Sequence, residues 1–185
     1  LLGASGGPKW LVLAGIDRVL CERLLGDRSE VLHLLGSSIG AWRHICFAQQ
    51  DPVAACERFT DAYTAQVYDE NPTALEVLRE MERVLDAALG SSGEDEILGN
   101  SRVRTHILAT RSRALVATDK RAALLAGLGV AAISNTLSRK ALAAFFERWV
   151  FHTGDAAFDF QGFSTHQTHL RAGGLRPATL ATGAV

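Results

Sequence analysis

The run Val31-Leu32-His33-Leu34-Leu35-Gly36-Ser37-Ser38-Ile39-Gly40-Ala41-Trp42 decides how this chain folds. It reads as a short apolar strand, then Gly-x-Ser-x-Gly, then the start of a helix. That is the order of a nucleophile elbow, in which the central serine, here Ser38, is held in a strained backbone conformation. Gly36 and Gly40 lack Cβ atoms, so strand and helix can approach closely on either side of the turn. The Ser38 hydroxyl would then project at a helix N-terminus, where partial positive charge favours a developing anion. The pentapeptide alone is weak, because such strings also form ordinary Gly/Ser turns. The flanking strand and helix are what give it meaning.

Working outward, Leu1-Leu2 reads as the end of a strand and Gly3-Ala4-Ser5-Gly6-Gly7-Pro8-Lys9 as a glycine-rich loop. Pro8 suits a first helical turn. Apolar residues at helical spacing from Trp10 to Leu25 predict a helix ending at Gly26. The opening fifty residues thus read strand, loop, helix, strand, elbow, helix (39–49). This pattern predicts a three-layer α/β/α fold with a mainly parallel central sheet, in one domain spanning 1–185. Beyond the elbow helix a helix-rich insertion is expected, with Asp51-Pro52 opening a helix to about Val67 and Asn71-Pro72 opening another to Leu89. Gly90-Ser91-Ser92-Gly93 reads as a loop and Val103 to Ala109 as a strand, with 110–117 a loop or second strand. Asp119 is expected to cap a long helix to about Phe151, broken near Ser134-Asn135. Residues 165–170 look strand-like, and 175–181 helical.

The uncharged run 122–138 is too short and too rich in Ala, Gly and Ser for a membrane span. A buried core helix is expected there, with a lid or lipid-contacting helix as the alternative. The chain has 185 residues, net charge −1, 48% hydrophobic and 21% charged residues, which is ordinary globular composition with no polybasic stretch. Nucleic acid is therefore not expected as a partner. Cys21, Cys46 and Cys56 lack metal-ligand spacing and read as free thiols in a reducing cytoplasm, and no signal peptide is recognisable. No metal or organic cofactor is implied.

Acyl transfer by serine needs an exposed hydroxyl, a base, and donors for the oxyanion. Ser38 is the hydroxyl. Backbone N–H groups of Gly6 and Gly7 are candidate donors, since neighbouring parallel strands deliver their C-terminal loops side by side. Ile39, directly after the nucleophile, is a third. Gly6-Gly7 could equally be a tight turn or an anion cradle, although neither G-x-G-x-x-G nor G-x-x-x-x-G-K-[ST] occurs in the loop. The base is harder to find. His33 and His44 lie too close to the elbow along the chain, His106 sits within a strand, and His152, His166 and His169 follow in an irregular region. A His-dependent α/β-hydrolase would draw its base from those last three.

The order Ser5-Gly6-Gly7-Pro8-Lys9, helix, strand, Gly36-Ser37-Ser38-Ile39-Gly40 resembles the patatin-like phospholipase family. That family carries a Gly-Gly-Gly-x-(Arg/Lys)-Gly oxyanion loop about thirty residues before its G-x-S-x-G elbow. Ser5 and Trp10 replace the first and last glycines of that loop, and Lys9 matches its basic position. The phrase Gly3-Ala4-Ser5-Gly6-Gly7-Pro8-Lys9-Trp10 is similar to a bacterial subgroup. The tail from Leu175 to Val185 resembles the Ala-Ser/Thr-x-Ala segment before the family's second catalytic strand.

The resemblance implies a patatin-like fold and hydrolysis of lipid or other acyl esters by a Ser–Asp dyad without histidine, with peripheral membrane contact. Lys9 would support the loop or draw an anionic head group. The family's aspartate sits in Asp-Gly-(Gly/Ala), and no Asp-Gly pair occurs in these 185 residues. Asp155-Ala156-Ala157 is the nearest imitation, with Asp159 close by. Because the sequence stops within a recognisable pattern, the aspartate is expected beyond Val185, the chain is expected to be part of a longer protein, and the piece as given is expected to be inactive. The remaining alternatives are a non-catalytic lipid-binding or interaction module on the same fold, and an anion- or nucleotide-binding α/β domain built on the Gly3 to Lys9 loop.

Overall fold

The structure, a computed structural model, describes residues 1–25, 30–113, 117, 121–137, 143–154 and 165–183. Five strands form one sheet in the order β1 (Leu2–Gly3), β2 (Leu32–Ser37), β3 (Val103–Ser112), β4 (Phe146–His152), β5 (Thr165–His169). Three neighbouring pairs are parallel and β3–β4 is antiparallel. The fold is α/β with a mainly parallel sheet, as the alternation of strand and helix predicts.

Between β1 and β2 runs a continuous helical segment, with 3₁₀ turns (Gly7–Leu13), helix α1 (Ala14–Val19) and π turns (Leu20–Leu25). Helix α2 (Ile39–Phe47) follows β2 directly. The helix-rich insertion is present as α3 (Pro52–Thr64), α4 (Ala74–Leu89) and α5 (Gly93–Gly99). Asp51 caps α3 as expected, accepting from the Ala54 N–H at 2.9 Å with Pro52 in the first turn. In α4 the cap is Thr73 rather than Asn71. Its hydroxyl accepts from the Glu76 N–H at 3.2 Å, while Glu76 reaches back to the Asp69 N–H.

Two further expectations fail. The long helix to Phe151 does not form: α6 covers Arg121–Leu137, and residues 146–152 are strand β4. Trp149, Val150 and Phe151 are β-branched or aromatic residues that suit a pleated surface, and pairing with β3 overrides the helical spacing of the alanines before them. The expected cap Asp119 lies outside the described residues. Nor is α6 a buried core helix, because Leu125, Leu128, Val130 and Ile133 are exposed. Its many Ala and Gly residues offer little apolar side-chain area, so packing it inside would gain little. No helix among the described residues is long and apolar enough to cross a membrane.

Strand side chains alternate between faces. One face presents Leu34, Gly36, Ile107 and Phe151, and Leu34 and Ile107 are fully buried in a core shared with Ile45, Phe59, Leu85 and Leu175. The other face carries His33, His106, His152 and His169 across four adjacent strands. Along this row the His33 and His106 rings are 3.0 Å apart between Nδ1 and Nε2, and His152 meets His169 edge-on.

Candidate active site

Ser38 stands between the last residue of β2 and the first of α2, with φ 51° and ψ −132°. It is the one non-glycine residue with positive φ among the described residues. A side chain in that region is strained, by about 1–3 kcal/mol, and persists only where its surroundings impose it. Here the imposing contacts are backbone to backbone. A Cβ on Gly36 would lie 2.6 Å from the Ala41 nitrogen, and a Cβ on Gly40 would overlap the Gly3 carbonyl group. Strand β1, strand β2 and helix α2 therefore meet at three glycines, and the chain can make the turn only by swinging Ser38 outward.

The glycine-rich loop sits beside this turn. Ser5 Oγ lies 3.4 Å from Ser37 Oγ, and Gly7 adopts φ 51°. Gly7, Ser38 and Ile39 line one cleft of about 170 Å³, and Gly6 is exposed in the loop next to it. The first N–H groups of α2, that of Ile39 among them, have no acceptor within the helix. Ser38 makes no side-chain hydrogen bond capping α2, so its hydroxyl does not occupy them. Lys9 is exposed, and its backbone N–H donates to the Gly6 carbonyl at 3.3 Å.

A larger cavity of about 430 Å³ is lined by Cys21, Leu32, Arg102 and Val103. Leu32 and Val103 are the first residues of β2 and β3, so this cavity lies at the N-terminal end of the sheet. Parallel α/β sheets bind ligands at the C-terminal end, where Ser38 stands.

No Asp, Glu or His is among the described residues lining the Ser38 cleft. Asp155 and Asp159 lie outside the described residues. His44 is buried behind the elbow, against the backbone of Gly3. Burial first, then the Arg43 charge, hold its pKa down at about 3, so it is neutral and inaccessible. His106 is pushed down to about 4 by burial and by the neighbouring His33 and His152.

His152 sits on β4, two strands from β2 and thus about 10 Å away, with its ring Nδ1 2.9 Å from the Gly154 carbonyl oxygen. His169 is on β5, one strand farther. His166, also on β5, stacks on Trp149 and reaches Glu147 at 2.5 Å. None of the three histidines approaches Ser38.

The thiols are free, with Cys21 and Cys46 buried. Hydrogen bonding to the Cys56 thiol and burial push Cys21 well above the usual range, so it is unreactive at neutral pH. No metal-binding cluster occurs among the described residues.

The sequence reading missed most of the cleft wall, including Trp42, Tyr63, Tyr68 and Met81. Only Trp42 carried a local signal, since it lies four residues after Ser38 and so on the same helix face. Comparison with family models, with curated proteins and with solved structures gives no match.

Proposed function

We propose that this chain is a serine acyl hydrolase of the patatin-like type, acting on lipid or other acyl esters. The observation that carries the reading is the backbone of Ser38, a strained φ of 51° at the start of a helix, imposed by glycines on both sides. In this reading Ser38 Oγ attacks the ester carbonyl and its proton passes to a carboxylate base. The N–H groups of Gly6, Gly7 and Ile39 hold the oxyanion, and the alcohol departs with the proton. Water, activated by the same carboxylate, then releases the acyl group from Ser38. The reading requires an aspartate as that base, which the described residues lining the cleft do not supply, and Lys9 supports the loop or attracts an anionic head group. The fold implied is three-layer α/β/α, a second helical layer covering the histidine face. The full burial of Val150 and near-full burial of His106 on that face support it.

The test is turnover of a chromogenic acyl ester by the full-length protein and by Ser38→Ala. We expect loss of at least about a thousandfold, as for removal of a covalent nucleophile; equal rates would sink the assignment. A second reading, a lipid-binding module with a degenerate site, is favoured by the lack of an acid or histidine among the described residues lining the cleft. A fluorophosphonate probe separates the two, because it labels an activated serine and leaves a degenerate one untouched.

A further inference from the structure

We infer that α6 (Arg121–Leu137) is a docking face for the surface of an anionic lipid bilayer, carried at the end of the sheet where Ser38 stands. The docking is read from the helix itself; only its purpose, bringing lipid esters to Ser38, rests on the hydrolase reading above.

The helix is turned the wrong way round for a core. A surface helix normally faces its large apolar side chains inward. In α6 the buried residues are Gly127 and Ala131, four apart and so on one narrow stripe. With about 3.6 residues per turn, Leu125 and Ile133 fall on the side away from that stripe, and Leu128 and Val130 on its flanks. Leu125 is 62% exposed and Ile133 66%, and Leu128 and Val130 are exposed with them. No charge interrupts this surface, since residues 122–138 carry none. A contiguous apolar surface of this kind marks contact with a partner or a membrane.

Charge selects the occupant. In sequence the apolar run is bracketed by Lys120-Arg121 and Arg139-Lys140, and Asp119 is the only acidic residue between Glu96 and Glu147. Arg111 and Arg113, where β3 ends, are exposed as well. A bilayer with acidic head groups offers acyl chains to the apolar arc and phosphates to the basic ends. A second copy of the chain fits less well. Two α6 helices laid together, in either direction, would bring basic ends against basic ends, and such like-charge contacts are costly.

The topology puts this face beside the site. Strand β3 pairs its Leu108 with Ser37, the residue before Ser38, and runs on to Ser112. Strand β4 begins opposite Ser112, at Phe146. The connection that holds α6 therefore leaves and re-enters the sheet at the end where β2 delivers Ser38. Since α6 is not long and apolar enough to span, it would lie in the interface.

The experiment measures co-sedimentation of Ser38→Ala protein, which leaves the lipid intact, with two kinds of vesicle. One is equal parts phosphatidylcholine and phosphatidylglycerol, the other phosphatidylcholine alone. We expect binding to the anionic vesicles. Adding Leu125→Glu with Ile133→Glu should weaken it about a hundredfold, at about tenfold for each apolar side chain kept in water. Lys120→Gln with Arg121→Gln should weaken it about thirtyfold and leave any binding to phosphatidylcholine alone unchanged. The glutamine pair keeps the test alive should the glutamate pair fail to fold. Absence of binding to anionic vesicles, binding that neither pair weakens, or equal binding to both vesicle types overturns the inference. So does a dimer that the glutamate pair dissolves while vesicles stay unbound. Turnover of a water-soluble ester reads the hydrolase separately. Turnover without vesicle binding overturns the docking face alone, and vesicle binding without turnover or fluorophosphonate labelling overturns the hydrolase reading alone.

Discussion

Ser38 holds a conformation that glycine would adopt freely, and this separates its chemistry from its stability. Ser38→Ala removes the hydroxyl and keeps the strain, while Ser38→Gly removes both. We expect the glycine variant to be more stable than the alanine variant by about 1–2 kcal/mol, the cost of a Cβ in the left-handed region. Urea unfolding of the pair measures it; equal midpoints would show that the turn relaxes without cost. Gly40 is the opposite case, because any side chain there collides with the backbone of β1. Gly40→Ala should destabilise by about 3 kcal/mol or more, the upper end of overpacking costs, since backbone cannot rotate aside.

Between elements, a buried ion pair joins α1 to α2. Asp17 is 1% exposed and its carboxylate is gripped by both the Nε and a terminal nitrogen of Arg43. This pair ties the first helical segment to the elbow helix. Removing one partner leaves the other charge buried, so Arg43→Ala should cost about 3–5 kcal/mol. A double variant, Asp17→Leu with Arg43→Met, should recover much of that loss. Thermal unfolding of the single and double variants checks both statements.

At this scale the sequence was easiest to read where a boundary is made by its own neighbours. Asp51-Pro52 and the glycines of the elbow act on atoms within a few residues, and both boundaries stand where local chemistry places them. Strand β4 was illegible because its helical neighbours gave no sign of the pairing with β3, and that pairing decides it.

For the whole molecule, buried neutral histidines set the acid limit. His44 and His106 have pKa values held down at about 3 and about 4, against about 6.5 when exposed. The unfolded chain therefore takes up these protons first. Stability is fully present above about pH 6.5 and is lost as pH falls through the window down to the folded values. His44 alone should contribute a slope of about 1.4 kcal/mol per pH unit within that window. Urea midpoints between pH 7 and pH 5 should fall accordingly, and His44→Gln should flatten the decline. An unchanged slope in that variant would show that His44 does not titrate on unfolding.

By itself the sequence determined the alternation of strand and helix, the parallel start of the sheet, and the elbow at Ser38. Each rests on steric rules acting over a few residues, such as missing Cβ atoms, a proline ring or apolar periodicity. Tertiary structure alone decided the antiparallel β4, the Asp17–Arg43 tie, the row of histidines across four strands, and the cleft wall of Trp42, Tyr63 and Met81. Those features join residues tens of positions apart. Their contacts arise from how the faces of helices and strands pack together, and no local pattern encodes that packing.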